Sequence, residues 1–463
     1  MDRIAVVGLG KLGICLAATF AHRGFSVVGV DINPDVVARL NQGLTPVSEP
    51  GLDEMVLASR ARLRGTTDHD EAIAASDCTF ILVATPSDET GGFSLEYVTT
   101  AAEAVGHALR HKDAFHLVAV QSTVMPGSVE LGILPILEEA SGKQCGRDFG
   151  LCYVPEFVAL GTVLRDMLQP SLVVIGEHDE KAGGLLESIY KRYVSNEPPI
   201  LRMSIVNAEL AKIALNAYIT TKISFANTLA EICERLPGGD VDAVTRAVGS
   251  DPRIGSKYFT GGLGFSGPCF PRDTKSFALL LRQAGVEPLQ IEATDCQNQT
   301  IVPRVLQSIS TALQATGGRA VALLGLSFKP GTVYVHNSPG IELAEALVKA
   351  GYDVIAYDPL ATEAAREILG QRVRYAASAE ECLQQSDAVV IVNPDPEFRN
   401  LGASSFPQKQ PPMVVYDCWR LLRAKLETAS HLRYMPLGIG LADGVHSARN
   451  ADFVRRASVL AEP

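Results

Sequence analysis

Residues 3–13 read RIAVVGLGKLG, a short apolar run that leads directly into three glycines spaced as GxGxxG. A helical pattern follows Gly13, and the next strand candidate, FSVVGVD, ends at Asp31. Gly8, Gly10 and Gly13 permit a tight turn, a close approach of the backbone to a pyrophosphate, and packing of helix on strand. The stretch therefore predicts a dinucleotide-binding Rossmann unit, although this spacing would also suit a plain strand-to-helix turn.

The cofactor predicted from this turn is NAD. The carboxylate of Asp31 would accept hydrogen bonds from the two ribose hydroxyls and would repel the 2′-phosphate of NADP. We also place Leu12 in the cofactor loop, and Thr85, Pro86 and Thr123, which follow later strands, against the cofactor.

Length and composition bound the class of protein. At 463 residues the chain is too long for one ordinary core, and its hydrophobic content of 47% excludes disorder. The net charge of −11 argues against binding of nucleic acid. No apolar run approaches the roughly 20 residues that span a membrane, and no secretory signal is visible. Nine scattered cysteines without zinc spacing predict a cytoplasmic location, mostly inert thiols and no metal site.

Strand and helix patterns alternate in two regions of the chain, which is typical of doubly wound parallel α/β sheets. Between them, residues 206–234 contain neither Gly nor Pro and predict one long helix that is buried on several sides. The sequence thus predicts an NAD-binding Rossmann domain at 1–200, a central helical domain at 201–315, and a second Rossmann-like domain at 316–463.

Three polar side chains share one face of the long helix, because Glu209, Lys212 and Asn216 are spaced i, i+3 and i+7. A lysine and an asparagine on a mostly apolar helix can stabilise a developing alkoxide or hold a water. Periodicity alone favours a plainer interpretation, a snorkelling lysine beside a hydrogen-bonded asparagine. Glu156 in VPEF and Thr123 in QSTVMPG follow strands at the edge where ligands bind, although a glutamate beside proline also suits a turn.

Residues 264–273 read GFSGPCFPRD and hold a single thiol between two turn-forming pairs. Pro271 suits the start of the helix that follows, so Cys269 lies just outside a helix N-terminus. The positive end of the helix dipole and nearby Arg272 would favour the thiolate, and Asp273 would reach a water near the sulfur. The alternative is a packed core cysteine, which needs no such framing.

Taken in order, these motifs resemble the UDP-glucose/GDP-mannose 6-dehydrogenase family over almost the full chain. The matching segments include GLGKLG, EPGLDEM, ILVATPSDETGG, STVMPG, VPEF, AELAKIALNAYITTKISFAN, DPRIG, GFSGPCFPRD and GLSFKPGT. The resemblance implies two Rossmann-like domains joined by a long central helix. It implies that the central domain at 201–315 is a dimerisation domain that forms a homodimer, and that the domain at 316–463 is the substrate-binding domain. It also implies NAD-dependent, four-electron oxidation of the primary alcohol of a nucleotide sugar to a carboxylate.

The same resemblance implies a role for each matching side chain. Cys269 would be the nucleophile that traps an aldehyde, Lys212 and Asn216 would stabilise oxyanions, Thr123 and Asp273 would handle water and protons, and Glu156 would be the base in thioester hydrolysis. Arg253 would reach a neighbouring subunit's substrate. The substrate-binding set is Glu156, Phe157, Lys212, Asn216, Arg253, Phe265, Gly267, Lys329 and the residue at position 336.

Several residues depart from the family pattern. The usual Asp-Asp-x-Arg-x-Ser-Pro is replaced by VYVHNSP at 333–339, so His336 stands where an arginine grips a diphosphate. Leu160 replaces a usual glutamate, and Arg272 replaces the commoner lysine. Because histidine replaces a bidentate guanidinium poorly, the sequence favours an atypical substrate over the usual nucleotide diphosphate sugar.

Two other functions stay open. One is a two-electron NAD dehydrogenase that acts on a different activated alcohol, and the other is a dinucleotide-binding homologue without turnover. The number of NAD molecules reduced per substrate separates the first from a four-electron enzyme. Retention of Lys212, Asn216, Cys269 and Asp273 together argues against the second.

Overall fold

The computed structural model describes residues 1–440, which divide into two compact units. Unit 1 is Met1–Leu215, and unit 2 begins at Asn216. The division into three domains stays a prediction.

Unit 1 is built on an eight-stranded sheet with the strand order β3-β2-β1-β4-β5-β6-β7-β8. Its strands are β1 Arg3–Val7, β2 Ser26–Val30, β3 Leu63–Thr66, β4 Cys78–Ile81, β5 His116–Val120, β6 Phe149–Tyr153, β7 Val173–Glu177 and β8 Ile200–Ser204. The order reverses between β1 and β4, and in such sheets ligands bind at the reversal, outside the carboxyl ends of the strands.

The pairing of β6 with β7 is antiparallel, whereas the other neighbouring strands of unit 1 are parallel as predicted. Tyr153 pairs with Gly176, so β7 begins at the edge of the sheet where β6 ends. The connection at 154–172 therefore need not cross the sheet. Glu156 lies in this connection, three residues after the end of β6.

Helices cover both faces of this sheet. They are α1 Gly13–His22, α2 Pro34–Asn41, α3 Leu52–Ser59, α4 His69–Ala74, α5 Glu96–Arg110, α6 Leu134–Ser141, α7 Val163–Leu168 and α8 Glu180–Tyr193, with a π-helical turn, Val129–Ile133, directly before α6. In β1, Ile4 and Val6 pack into one core, and Ala5 and Val7 pack into another on the opposite face. A strand buried on both faces reads as a continuous apolar run, which explains the opening IAVV.

The long predicted helix is confirmed as α9, Ile205–Arg235. The expectation that it is buried on several sides holds only in part. Val206, Leu210, Tyr218 and Phe225 lie along one side of it and are between 40% and 59% exposed. The apolar pattern predicts the helix but cannot specify what covers each side. Neither α9 nor any other helix within residues 1–440 is long and apolar enough to cross a membrane.

Unit 2 continues through helices and then forms a second sheet. The helices are α10 Val241–Gly249, α11 Phe270–Gln283, α12 Leu289–Gln299, α13 Ile301–Gln314, α14 Pro339–Lys349, α15 Thr362–Leu369, α16 Ala379–Gln384 and α17 Arg423–Leu426, with 3₁₀ turns at Gly370–Arg372, Phe398–Asn400 and Ala403–Ser405. The parallel sheet has the order β11-β10-β9-β12-β13-β14, formed by β9 Ala320–Leu324, β10 Asp353–Tyr357, β11 Arg374–Tyr375, β12 Ala388–Ile391, β13 Met413–Asp417 and β14 Leu432–Pro436. This order repeats that of the first six strands of unit 1, so the second Rossmann-like fold is confirmed.

Candidate active site

The glycine-rich loop of unit 1 brings the chain into contacts that a larger residue would block. Gly8 has a φ of +94°, and a Cβ atom there would lie 2.4 Å from the carbonyl oxygen of Leu82. A Cβ atom at Gly13 would lie 1.8 Å from the carbonyl oxygen of Gly8. At Gly10, by contrast, a Cβ atom would meet nothing within 4 Å. The loop is therefore closed toward the sheet and open on the side where a pyrophosphate would approach.

Asp31 completes this loop from the end of β2. Its Oδ2 accepts a hydrogen bond from the backbone N–H of Leu9 at 2.8 Å, and its Oδ1 accepts one from that of Asn33 at 2.9 Å. The carboxylate is thereby fixed beside the turn that enters α1. Leu12, the residue directly before α1, makes no side-chain hydrogen bond that would cap this helix. An acidic ribose acceptor beside an uncapped helix N-terminus fits NAD.

The other residues predicted to bind the cofactor follow β4 and β5. Thr85 is buried, Pro86 is exposed and Thr123 is partly exposed. Their contacts with the cofactor stay predictions.

Glu156, Gln121 and Lys212 meet in unit 1. The side-chain amide of Gln121 donates to Oε1 of Glu156, and the ammonium of Lys212 donates to the backbone oxygen of Glu156 at 2.6 Å. That ammonium also lies 5.0 Å from the ring centroid of Phe157. Burial raises the pKa of Glu156 to about 7, although Lys212 and Gln121 both act to lower it. A carboxyl that titrates near neutral pH is suited to take and release a proton.

Asn216 and Asp273 meet in unit 2, in the first turn of α11, which begins next to Cys269. The amide of Asn216 donates to Oδ2 of the buried Asp273 at 2.6 Å, and Nε of Arg272 donates to its Oδ1 at 2.9 Å. The backbone N–H of Asp273 in turn donates to the carbonyl oxygen of Cys269 at 2.8 Å. Cys269 is the N-cap residue of α11, so the expected position at the helix N-terminus is confirmed.

The environment of Cys269 differs from that of most other cysteines in the chain. Cys269 is exposed, whereas burial raises the pKa of Cys15 and Cys382 to about 12. Burial therefore disfavours the reactive thiolate form of those two cysteines.

The loop that carries Cys269 is held by contacts with two other segments of unit 2, one at 328–337 and one at Asn298. Gly267 has a φ of +80°, and a Cβ atom there would lie 2.7 Å from the ring of Phe328. The side-chain amide of Asn337 donates to the carbonyl oxygen of Gly267 at 3.2 Å. The buried Phe265 exchanges two backbone hydrogen bonds with the side chain of Asn298, at 2.8 and 3.0 Å. The altered segment 333–337 thus contacts the cysteine loop directly.

The remaining predicted substrate residues are Arg253, Lys329 and His336. The Arg253 side chain is 87% exposed and pairs with Asp251 in its own loop. Lys329 follows β9 and is partly exposed, and His336 is exposed. Their contacts with a substrate stay predictions. Within residues 1–440, no three His, Cys, Asp or Glu side chains are placed to hold a metal ion.

Sequence reasoning missed three residues that organise these clusters: Gln121, Asn298 and Asn337. Gln121 opens the quoted motif QSTVMPG, which is the signal that could have identified it. Asn337 stands beside His336 in the altered segment and has a φ of +48°, a conformation that asparagine tolerates better than most residues. Nothing in the sequence distinguishes Asn298.

Comparison with known proteins matches three segments of the chain to the domains of one family. Residues 2–194 match the NAD binding domain of the UDP-glucose/GDP-mannose dehydrogenase family, residues 206–300 match its central domain, and residues 322–424 match its UDP binding domain.

Similar proteins align over most of their length. The chain is 41% identical over 401 residues to the UDP-glucose 6-dehydrogenase AglM of Haloferax volcanii, covering 86% of this chain and 92% of that protein. It is 35% identical to the GDP-mannose 6-dehydrogenase of Pseudomonas putida, covering 88% and 94%. The structure of a UDP-glucose dehydrogenase from the hyperthermophilic archaeon Pyrobaculum islandicum matches with a TM-score of 0.84 and 37% identity, covering 96% and 98%.

Proposed function

The chain belongs to the UDP-glucose/GDP-mannose dehydrogenase family, and on that premise we propose which of its residues perform the reaction and on what kind of substrate. The enzyme is an NAD-dependent nucleotide-sugar 6-dehydrogenase. The observation that carries the assignment of residues is the position of Cys269, exposed at the N-terminus of α11 and one turn before the buried Asp273.

The chemistry explains why a fixed thiol is needed. Oxidation of a primary alcohol to a carboxylate removes two hydrides, and two NAD⁺ molecules, bound one after the other, would each accept one. An aldehyde has no tetrahedral carbon bearing an oxygen from which the second hydride can leave. The Cys269 thiolate adds to the aldehyde carbon, and the resulting thiohemiacetal loses the second hydride to become a thioester. Water then cleaves the carbon–sulfur bond, which releases the carboxylate and restores the thiol.

The residues of unit 1 act on oxygen atoms and protons. Lys212 stabilises the negative charge that develops on the substrate oxygen. Glu156 removes a proton from the water that attacks the thioester, and its pKa of about 7 suits this role near neutral pH. Thr123 assists in positioning that water and contacts the cofactor.

In unit 2, Asn216 and Asp273 orient the groups around the sulfur. Their mutual hydrogen bond fixes both side chains, and Arg272 holds the second carboxylate oxygen. Asn216 also stabilises the oxyanion, while Asp273 handles protons near the thiol.

The substrate is proposed to be a nucleotide sugar held in part by Phe157, Arg253, Phe265, Gly267 and Lys329. Which sugar and base it carries depends on the altered segment 333–337, where His336 takes the place of the arginine of the family pattern. We further propose that the enzyme is a cytoplasmic homodimer. The exposed apolar side of α9 supports association with a second copy.

The decisive experiment offers UDP-, GDP- and dTDP-sugars, together with sugar and nucleoside phosphates, to the purified enzyme and measures NADH formed per substrate consumed. Two NADH per substrate, with a uronic acid as product, is expected. One NADH per substrate would establish the two-electron alternative. No turnover with any member of the panel would favour a homologue without catalysis.

A further inference from the structure

Glu209 is a buried carboxylate to which the roles above assign no function. It lies on α9 one turn before Lys212 and is completely buried. Its Oε2 accepts a hydrogen bond from the backbone N–H of Gly127 at 2.6 Å, and its Oε1 accepts one from that of Val129 at 2.9 Å. Both oxygens are therefore directed at the chain that follows β5.

The two N–H groups mark a specific junction in unit 1. Gly127, with a φ of +91°, ends the segment QSTVMPG, and Val129 begins the π-helical turn that leads into α6. N–H groups at the start of a helix lack partners within the helix, and a carboxylate there also interacts favourably with the helix dipole. Glu209 supplies this cap from a different element, so it ties the end of the loop to α9.

The presence of a carboxyl group at this fully buried position needs a physical explanation. Burial raises the pKa of Glu209 to about 7, which shows that the environment disfavours its charge even though both N–H groups act to lower that pKa. A buried carboxyl is costly unless its hydrogen bonds are worth keeping. Val129, which Glu209 caps, begins a π-helical turn, and such turns occur often at functional sites.

We propose that Glu209 is a positioning residue that fixes loop 121–129 against α9 and thereby sets the place of Thr123. Lys212, one turn further along the same helix, holds the backbone of Glu156. The first turns of α9 thus anchor both loops that carry proposed reactive groups of unit 1. This inference rests on the proposed function, because Thr123 matters only if the enzyme performs that reaction.

The test compares Glu209→Gln and Glu209→Asp with the wild-type enzyme. Glutamine keeps the size of the side chain but replaces one acceptor oxygen with a donor that faces a backbone N–H. Aspartate keeps both acceptors on a chain shorter by one methylene. The matched control is Asp179→Asn, which alters another helix-capping carboxylate of unit 1, one that accepts a hydrogen bond from the N–H of Ala182 at 2.9 Å. Hydrogen–deuterium exchange of peptides covering 121–129, kcat, KM for NAD⁺ and the melting temperature are measured for each.

At pH 8, where most of the wild-type Glu209 is ionised, we expect exchange in 121–129 to accelerate and kcat to fall in Glu209→Gln, each by about tenfold or more, because a charge-assisted hydrogen bond is lost. KM for NAD⁺ should change less than kcat, because Asp31 and the glycine loop are untouched. Glu209→Asp should recover part of the loss, and Asp179→Asn should change neither quantity.

Three results would overturn the inference. In Glu209→Gln, exchange in 121–129 could be no faster than in Asp179→Asn, or it could be faster while kcat stays unchanged. The third is a fall in kcat that is as large in Asp179→Asn as in Glu209→Gln, at an equal loss of melting temperature. Failure of the proposed function is a separate result. It would appear as a wild-type enzyme that oxidises none of the sugars, and exchange would then still decide whether Glu209 holds the loop.

Discussion

The pH dependence of turnover should report the ionisation of Glu156. Burial raises the pKa of this carboxyl from an ordinary 4.5 to about 7. Only the ionised form can accept a proton from the attacking water. About one tenth of the side chain is ionised at pH 6 and about nine tenths at pH 8, so the rate of thioester hydrolysis should rise about tenfold between them.

Gln121→Leu should move the rising limb of the pH profile, the pH range over which Glu156 ionises, to higher pH. The amide of Gln121 donates to Oε1 of Glu156 and lowers its pKa. A hydrogen bond to a charged group contributes about 1.5–3 kcal/mol, and about 1.4 kcal/mol corresponds to one pKa unit. Leucine, of similar size, should therefore shift the limb upward by about one to two units.

The assay measures kcat from pH 5.5 to 9 with the nucleotide sugar that gives the fastest turnover, for the wild type, Gln121→Leu and a control. The control is Gln299→Leu, which removes an exposed amide that donates to Asp295. Mass spectrometry of Glu156→Gln after mixing with substrate and NAD⁺ should show an acyl adduct on Cys269. A limb near pH 4.5, or one that Gln121→Leu leaves in place, would refute the assignment of Glu156 as the base.

Three further predictions concern the sulfur, the cofactor and the substrate. Cys269→Ser should abolish formation of the acid with the fold retained, because a serine alkoxide is far less accessible than a thiolate near neutral pH; full activity would eliminate covalent catalysis. Asp31→Ala should narrow the preference for NAD over NADP, seen as the ratio of kcat/KM, since it removes both the ribose acceptor and the repulsion of a phosphate; an unchanged ratio would contradict the assignment. His336→Arg should tighten binding of UDP-glucose or GDP-mannose by about 5- to 150-fold in calorimetry if the substrate is a usual nucleotide diphosphate sugar, and should lower activity on the true substrate if it is not. Micromolar binding of either sugar nucleotide to the unmodified enzyme would contradict the expectation of an atypical substrate.

Features that depend on neighbouring residues in the sequence could be predicted. The apolar run and glycines of 3–13 specify β1 and its turn, and the stretch without Gly or Pro specifies α9. The N-terminus of α11 was placed to within one residue, because proline and the dipeptide turns restrict the backbone locally. Even so, β3, β8, β11 and β14 were not predicted, because each contains an arginine and lacks a continuous apolar run.

Features that depend on where distant segments end could not be predicted. The antiparallel pairing of β6 with β7 is set by the course of the connection at 154–172, not by the composition of either strand. The hydrogen bond from Asn216 to Asp273 joins residues 57 positions apart. Helix periodicity places Asn216 on the correct helix. It cannot decide whether the amide has only a structural hydrogen bond or belongs to a cluster of reactive polar groups. The structure shows that its partner is the carboxylate that follows the cysteine.

The two carboxyl groups proposed to act in the reaction occupy different surroundings, and this difference suits different tasks. Asp273 accepts hydrogen bonds on both oxygens, from Asn216 and Arg272, so its side chain is held in one orientation beside the turn that carries Cys269. Glu156 accepts one side-chain hydrogen bond, and burial raises its pKa to about 7. A fully bonded carboxylate orients its neighbours, whereas a carboxyl that titrates near neutral pH can take a proton and return it within one turnover. The hydrogen bonds and burial of the two carboxyl groups therefore support the proposed role of Glu156 as the base in thioester hydrolysis, and they show how Asp273 is held for its proposed role beside Cys269.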